Sequence, residues 1–168
     1  MERSSIVIVD EAVFASKGQR FANNIIDTIV YYLLIYLIGY LSGWLYAAFG
    51  YEGMYNYITG MGPFETTVFN LAIMTLYYLF MEGFMQKTVG KLITGTIVIM
   101  DDGIKPELGT IALRTLCRFI PFEAFSFFND SARGWHDTIT NTYVVDAKKY
   151  KEIIERKESF ELIGTEQE

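Results

Sequence analysis

Residues 28–49 read TIVYYLLIYLIGYLSGWLYAAF, a run of 22 residues without a charged side chain. At about 1.5 Å of rise per helical residue, a helix of this length matches the ~30 Å hydrocarbon core of a bilayer. A soluble amphipathic helix repeats polar residues every three or four positions, whereas Ser42 stands alone among apolar neighbours. The stretch therefore predicts a transmembrane helix, with a first span at about residues 24–49.

The composition of the chain supports a membrane protein that also has a polar portion in water. Hydrophobic residues make up 51% and aromatic residues 16%, yet 20% of the side chains are charged. The net charge of −6 and the lack of a Lys/Arg stripe exclude nucleic acid as a partner. Cys117 is the sole cysteine, so no disulfide forms within the chain.

A second apolar run follows and is charge-free from Thr66 to Met81. These sixteen residues are short of the ~20 that a crossing needs, so the predicted second span extends over about residues 64–86 and includes Glu82. The alternative is a helix that ends early and leaves Glu82 at the water boundary. The connecting residues 50–63 are rich in Gly and Tyr and contain no Lys or Arg, which places them on the outer side of the membrane.

A third apolar segment, at about residues 109–128, carries charges that the first two lack. Arg114 and Arg118 are four residues apart and share one helical face, and Pro121 ends or kinks the helix. Basic residues flank the segment on both sides, so a simple crossing would put one basic set outside. We predict a re-entrant hairpin of two half-helices or an amphipathic helix at the interface. An ordinary third crossing stays open as the alternative.

Short β-branched runs predict a small cytoplasmic β-element. Thr94–Met100 ends in Asp-Asp-Gly, and Thr142–Val145 can pair with residues 96–99 or with Ser5–Val9. Residues 147–168 mix charges of both signs and form a charged cytoplasmic tail. The predicted fold is an α-helical integral membrane protein. It has two full transmembrane helices, a Pro-broken third segment and this β-element, within a membrane domain of residues 1–146.

Small residues recur every four positions in the first predicted helix, at Gly39, Gly43 and Ala47. Such a stripe allows the backbone of another helix to approach closely, within one chain or between copies. We therefore predict a helix-packing surface there. The alternative is the ordinary frequency of glycine in membrane helices.

Three motifs together resemble the RDD family of small bacterial integral membrane proteins. They are Arg20-Phe21 followed by Asp27, the stretch GKLITGTIVIMDDG at residues 90–103, and HDTITNTYVV at residues 136–145. The resemblance implies that the namesake residues of the family fall on Arg20, Asp27 and Asp137. It also implies a small integral membrane protein of bacteria and a supposed role in transport of ions or small ligands. Lys87, Lys91 and Lys105 follow the second predicted span, so the positive-inside bias makes this side of the bacterial plasma membrane cytoplasmic. We predict a multi-pass protein with both termini cytoplasmic.

The charges predicted to lie near the membrane are roughly balanced, as a buried paired network requires. We predict that Asp27 pairs with Arg114 or Arg118 and that Arg20 pairs with Asp137. On this assignment Glu82 has the weakest pairing with a cation, so it is the group most able to take up and release a proton. The competing interpretation is that the arginines hold every carboxylate permanently. The full predicted network is Arg20, Asp27, Glu82, Arg114, Arg118 and Asp137, with Glu123 nearby.

Catalytic and metal-binding patterns are missing from the sequence. His136 is the single histidine, and no nucleophile triad, HExxH motif or metal-spaced Cys/His set is present. We therefore expect no enzymatic activity, no cofactor and no metal. The expected partners are the lipid bilayer and either further copies of the chain or other membrane proteins. Two functions stay open: transport through the charge network, and a non-transporting structural or accessory subunit of a larger membrane assembly.

Overall fold

The computed structural model describes residues 11–120 and 133–165. This part of the chain is mostly helical and contains one two-stranded sheet. The predicted strand Ser5–Val9 lies outside the described residues. In chain order the elements are a 3-10 turn Glu11–Val13, α1 Lys17–Phe49, α2 Glu52–Gly60, α3 Pro63–Met85, α4 Val89–Thr94, β1 Thr96–Met100, α5 Leu108–Cys117, α6 Trp135–Ile139, β2 Thr142–Asp146 and α7 Ala147–Thr165.

Helix α1 is long and has well-defined ends. Ser16 and Gln19 form a capping box at its start, with Gln19 N donating to Ser16 Oγ at 3.2 Å and Ser16 N donating to Gln19 Oε1 at 2.9 Å. The helix ends at Phe49 and is capped by Gly50, whose φ of 67° is left-handed and favours glycine. Its 33 residues extend over about 50 Å, so α1 is longer than a bilayer core is thick.

Two helices, α1 and α3, are long and apolar enough to cross a membrane. Only 11% of the most apolar window of α1 and 22% of that of α3 is buried within the protein. The core helix of a soluble protein would be covered by its neighbours, whereas here large rings such as Tyr36 and Phe64 are exposed. Length, hydropathy and exposure together give the chain the features of a membrane protein.

Helix α5 contains the first half of the third apolar segment. It has ten residues, or about 15 Å of rise, and is too short to cross a bilayer. Pro121 and Glu123 lie outside the described residues. The re-entrant hairpin and the interfacial helix therefore both stay predictions.

Strands β1 and β2 pair antiparallel, with Thr96 opposite Asp146 and Met100 opposite Thr142. Of the two pairings that the sequence allowed for β2, the one with β1 is present. Val13, Ile99 and Val145 pack together on one face of this sheet, and Ala15, Val98 and Val144 form a second small apolar cluster. The sheet thus provides a folded support next to the start of α1.

The residues that connect the two long helices, 50–63, contain α2. At Gly39 and Gly43 an added Cβ would meet nothing within 4 Å, and Ala47 is exposed. The described residues therefore show no close contact at the stripe, and packing there, within one chain or between copies, stays a prediction.

Candidate functional site

Buried charged side chains gather where α1 begins and α3 ends. Six of these side chains are at most 5% exposed. They come from five helices, and one of them, Arg114, also contacts Thr142 in strand β2. The six residues are Arg20, Asp27, Glu82, Lys91, Arg114 and Asp137. The side chain of Arg118 is 8% exposed and joins them. We call these seven residues the charge cluster.

The chain path explains why distant residues meet there. Helix α3 returns antiparallel to α1 and extends to Met85, so Glu82 lies in its last turn. The alternative of an early helix end before Glu82 is therefore wrong. Helix α4 then packs on α1 at Gly90, where an added Cβ would lie 2.5 Å from the backbone oxygen of Asn23. Only glycine allows this approach, which brings α4 into the cluster.

Asp27 is held by neutral donors. Its Oδ1 accepts hydrogen bonds from the Tyr77 hydroxyl at 2.8 Å and from the Gly90 backbone N–H at 2.8 Å. Its Oδ2 accepts from the Thr88 hydroxyl at 2.6 Å. The predicted pairing of Asp27 with Arg114 or Arg118 is wrong, because α4 packs against α1 here and supplies the donors instead.

Glu82 is the carboxylate with the most cationic neighbours. Lys91 Nζ donates to its Oε1 at 2.7 Å, and Arg118 Nη2 donates to the same oxygen at 3.0 Å. Arg114 Nε lies 3.4 Å from its Oε2. The prediction that Glu82 has the weakest pairing with a cation is wrong, since both arginines of the third apolar segment contact Glu82 rather than Asp27.

Asp137 completes the cluster from α6. It pairs with Arg20, as the sequence predicted, and accepts from Arg114 Nη1 at 2.6 Å. Arg114 therefore bridges two carboxylates, Glu82 and Asp137, and is itself fully buried. A guanidinium with five N–H groups in a planar fork suits this bridging position, where a lysine would not.

Lys91 of the charge cluster and the neighbouring His136 both lie outside α1 and α3 and have shifted pKa values. Burial is the largest cause of the shift and lowers the pKa of Lys91. The negative charge of Glu82 acts in the opposite direction and raises this pKa. Burial, followed by the positive charges of Arg118 and Arg114, holds the pKa of His136 well below 6.5. His136 is thus neutral near pH 7, and its Nε2 lies 3.3 Å from Asp137 Oδ1.

A small opening leads into the cluster. Its empty volume is about 290 Å³, part of which is open solvent. Polar side chains line it almost completely, namely Arg20, Asn23, Asn24, Asp27, Lys91, Arg118 and His136, together with Val144. Within residues 11–120 and 133–165, no group of three or more His, Cys, Asp and Glu is arranged to hold a metal.

The model of the RDD family matches residues 14–141 of the 168-residue chain. The chain belongs to the RDD family. The matched range contains every residue of the charge cluster. No curated protein and no solved structure matches the chain.

The sequence pointed to most of the cluster of this RDD protein but missed several partners. Lys91 was interpreted as a basic residue on the cytoplasmic side, yet it is 3% exposed and contacts Glu82. Thr88 gave a usable signal as a helix N-cap, since its hydroxyl accepts from Lys91 N. Tyr77 gave none, because a tyrosine within an apolar run does not indicate its hydrogen-bond partner.

Asn23 is a further polar residue that the sequence did not single out. It is 6% exposed, and its side chain contacts the hydroxyls of Thr94 and Thr96. These contacts fix the start of β1 against α1. One helical turn separates Asn23 from Asp27, so both residues lie on the face of α1 that meets α4.

Proposed function

We propose that this RDD protein binds a small ion in the charge cluster and takes part in moving that ion across the membrane. The observation that carries the proposal is the opening lined by Arg20, Asp27, Lys91, Arg118 and His136 at the end of two membrane-capable helices. Buried ionisable groups at such a position are expensive to maintain and mark ion pathways in membrane proteins. Its action requires no enzymatic chemistry, cofactor or resident metal.

Transport requires more than one copy of this chain or a partner membrane protein. The cluster lies at one end of α1 and α3, and beyond it the two helices expose apolar and aromatic side chains. A single pair of helices gives an ion no polar route through the bilayer. A homo-oligomer or a partner membrane protein would complete the path.

The proposed orientation places the cluster on the cytoplasmic side of the bacterial plasma membrane, together with both termini. Lys87, Lys91 and Lys105 lie close to the cluster in sequence, and such residues favour the cytoplasm. Cysteines introduced at Tyr55 and Ser159, in a Cys117→Ala background, provide the test with a membrane-impermeant thiol reagent on intact cells. Labelling at position 55 but not at 159 is expected, and labelling at 159 would contradict the orientation.

A structural role is the second candidate function. Glu82 contacts three cations, and Asp137 contacts two arginines, which is the geometry of a permanent lock. On this alternative the cluster only holds α1, α3 and α5 together. The protein would then be an accessory subunit of a larger membrane assembly.

Reconstitution of the pure protein in liposomes separates the two functions. Transport by a homo-oligomer predicts flux of ions by the protein alone. An accessory subunit predicts no flux and co-purification with partners. Asn24 lines the opening and is only half-buried, so Asn24→Leu should reduce flux with little loss of stability. Leu37→Phe, on the exposed face of α1, is the matched control and should leave flux unchanged.

A further inference from the structure

We infer that the short helices α4, α5 and α6 are embedded in the boundary of the membrane, where their outer faces contact the acyl chains of lipids. The contact surface consists of exposed apolar side chains on these helices, and we call it the boundary surface. It comprises Leu92 and Ile93 of α4, Leu113 and Leu116 of α5, and Trp135 and Ile139 of α6. The position of these helices is independent of whether the protein moves an ion.

Helix α5 has its charged residue inside and its apolar residues outside. Arg114 and Thr115 are fully buried, whereas Leu113 is 45% and Leu116 is 58% exposed. A helix in water has the opposite arrangement, with charged and polar residues outward and an apolar stripe that faces the core. The outer face of α5 therefore suits an apolar surrounding.

Helices α4 and α6 have the same inverted arrangement. Lys91 of α4 is buried, while Ile93 in the same helix is 67% exposed. Asp137 of α6 is buried, while Trp135 and Ile139 are about half exposed. Tryptophan is a residue that membrane proteins favour at the level of the lipid headgroups. The inversion thus recurs in separate elements, which come from different parts of the chain.

Helix α7 provides the contrast within the same protein. Lys151 and Glu155 lie on its surface, where their side chains are exposed and form a pair four residues apart. Ile153 instead packs against the apolar cluster on the sheet. This is the arrangement of a helix in water. The change between α5 and α7 marks the level at which lipid gives way to water.

The boundary surface continues the apolar surface of α3. Helix α5 packs on the last turns of α3, where an added Cβ at Gly83 would lie 2.9 Å from Leu108 Cδ2. Leu108 and the neighbouring Phe84 are both exposed. With ten residues, α5 is too short to cross a bilayer next to α3. A short helix with an apolar outer face at this position lies along the boundary.

Lipid is the occupant that fits all these faces at once. Helix α4 packs on α1, α5 packs on α3, and α6 packs on α5. Lipid surrounds both long helices, so it reaches the outer faces of the short helices that pack on them. The charge cluster is then level with the lipid headgroups, and lipid rather than water covers the helices that supply Lys91, Arg114 and Asp137.

Tryptophan fluorescence in vesicles of brominated phosphatidylcholine tests this position. The chain has two tryptophans, so Trp44→Phe leaves Trp135 as the sole tryptophan. The pure full-length variant is reconstituted in vesicles that carry bromine either near the headgroup or near the end of the acyl chain. A helix at the boundary lies about 5–10 Å into it, so the bromine near the headgroup should quench Trp135 at least about twofold more than the deep bromine. Iodide on both sides of the vesicle should quench it weakly.

A background without tryptophan, Trp44→Phe with Trp135→Phe, allows one reporter to be placed at a time. Leu116→Trp reports on α5 and should behave like Trp135. Lys151→Trp, at an exposed site of α7, is the water control and should be quenched by iodide but not by bromine. Tyr36→Trp, at an exposed site of α1, is the membrane control and should be quenched more by the deep bromine.

Every other pattern contradicts the boundary position. Quenching of Trp135 and of the reporter at position 116 by iodide alone would place the outer faces in water. Protection from both bromine and iodide would mean that a second copy or another segment covers them. Stronger quenching by the deep bromine at position 116 would indicate a re-entrant segment. Disagreement between the two reporters would contradict a common surface on α5 and α6.

Discussion

Asp27 and Glu82 are two buried carboxylates near the same end of two neighbouring apolar helices, and they are satisfied in opposite ways. Asp27 receives hydrogen bonds from two hydroxyls and one backbone N–H. Glu82 contacts a lysine and two arginines. Both arrangements give a buried carboxylate its hydrogen-bond partners. Only a loss of the Glu82 carboxylate, however, would remove the counter-ion of buried cations. The position of an acid in an apolar helix therefore does not indicate which kind of partner it has.

The largest expected effect is that of Glu82→Gln. This change leaves Lys91, Arg114 and Arg118 without their shared counter-ion, and we expect a loss of about 3–5 kcal/mol in the free energy of unfolding. Chemical denaturation in detergent measures it. Glu52→Gln, at an exposed site in α2, is the control and should lie within about 0.5 kcal/mol of the wild type.

Gly90→Ala tests the close packing of α4 on α1, which supplies Asp27 with its neutral donors. The new Cβ would lie 2.5 Å from the Asn23 backbone oxygen and 3.0 Å from Asp27 Oδ1, so α4 has to move away from α1. We expect a loss of about 3 kcal/mol, because the contacted atom is backbone. Gly43→Ala, where an added Cβ meets nothing within 4 Å, should be nearly neutral. Similar Tm values for the two variants would contradict the close approach.

Asp27→Asn sharpens the contrast with Glu82→Gln. The amide keeps one oxygen acceptor and leaves no arginine unpaired, so we expect a smaller loss, of about 1–2 kcal/mol. Combining it with neutralisation of Arg114 should recover nothing, since the two side chains are not paired. A double-mutant cycle measures this coupling. Recovery of stability in the double variant, or a larger loss than for Glu82→Gln, would reverse the roles assigned to the two carboxylates.

The smallest expected effect is a pH dependence of stability from His136, which contacts Asp137 of the charge cluster. The pKa of His136 is lowered in the folded state, so below about pH 6.5 the unfolded chain binds the proton first and stability falls. The slope from this residue is at most about 1.4 kcal/mol per pH unit. His136→Asn should remove it, measured as the difference in unfolding free energy between the two proteins across this range. An unchanged slope would contradict a neutral buried His136.

The sequence allowed prediction of elements that depend on local pattern. The apolar runs indicated α1 and α3, and the β-branched residues at 96–99 and 142–145 indicated the two strands that pair. The Arg20–Asp137 pair was also predictable, because Arg20 lies two helical turns nearer the water than Asp27, at the level expected for the segment with Asp137. These features need only periodicity, length or position along a helix.

The partners of Asp27 and Glu82 could not be predicted in the same way. They depend on the close packing of α4 against α1, which Gly90 permits, and nothing in the local pattern of α4 indicates which helix it meets. Charge accounting assigned arginines to Asp27 because it ignored neutral donors such as Tyr77 and Thr88. Lys91 was left out because a lysine after a membrane helix is ordinarily at the surface.

The partners of Asp27 also constrain the order of events during synthesis. All three donors come from later in the chain, and the last of them, Gly90, is 63 residues downstream. At about 5–20 residues per second, the ribosome needs roughly 3–13 s after Asp27 to make Gly90. The pair between Arg20 and Asp137 forms later still, since Asp137 is 117 residues downstream of Arg20. During this interval Asp27 and Arg20 lack the partners that they have in the folded protein, so the start of α1 reaches its final packing only after α4 and α6 have been made.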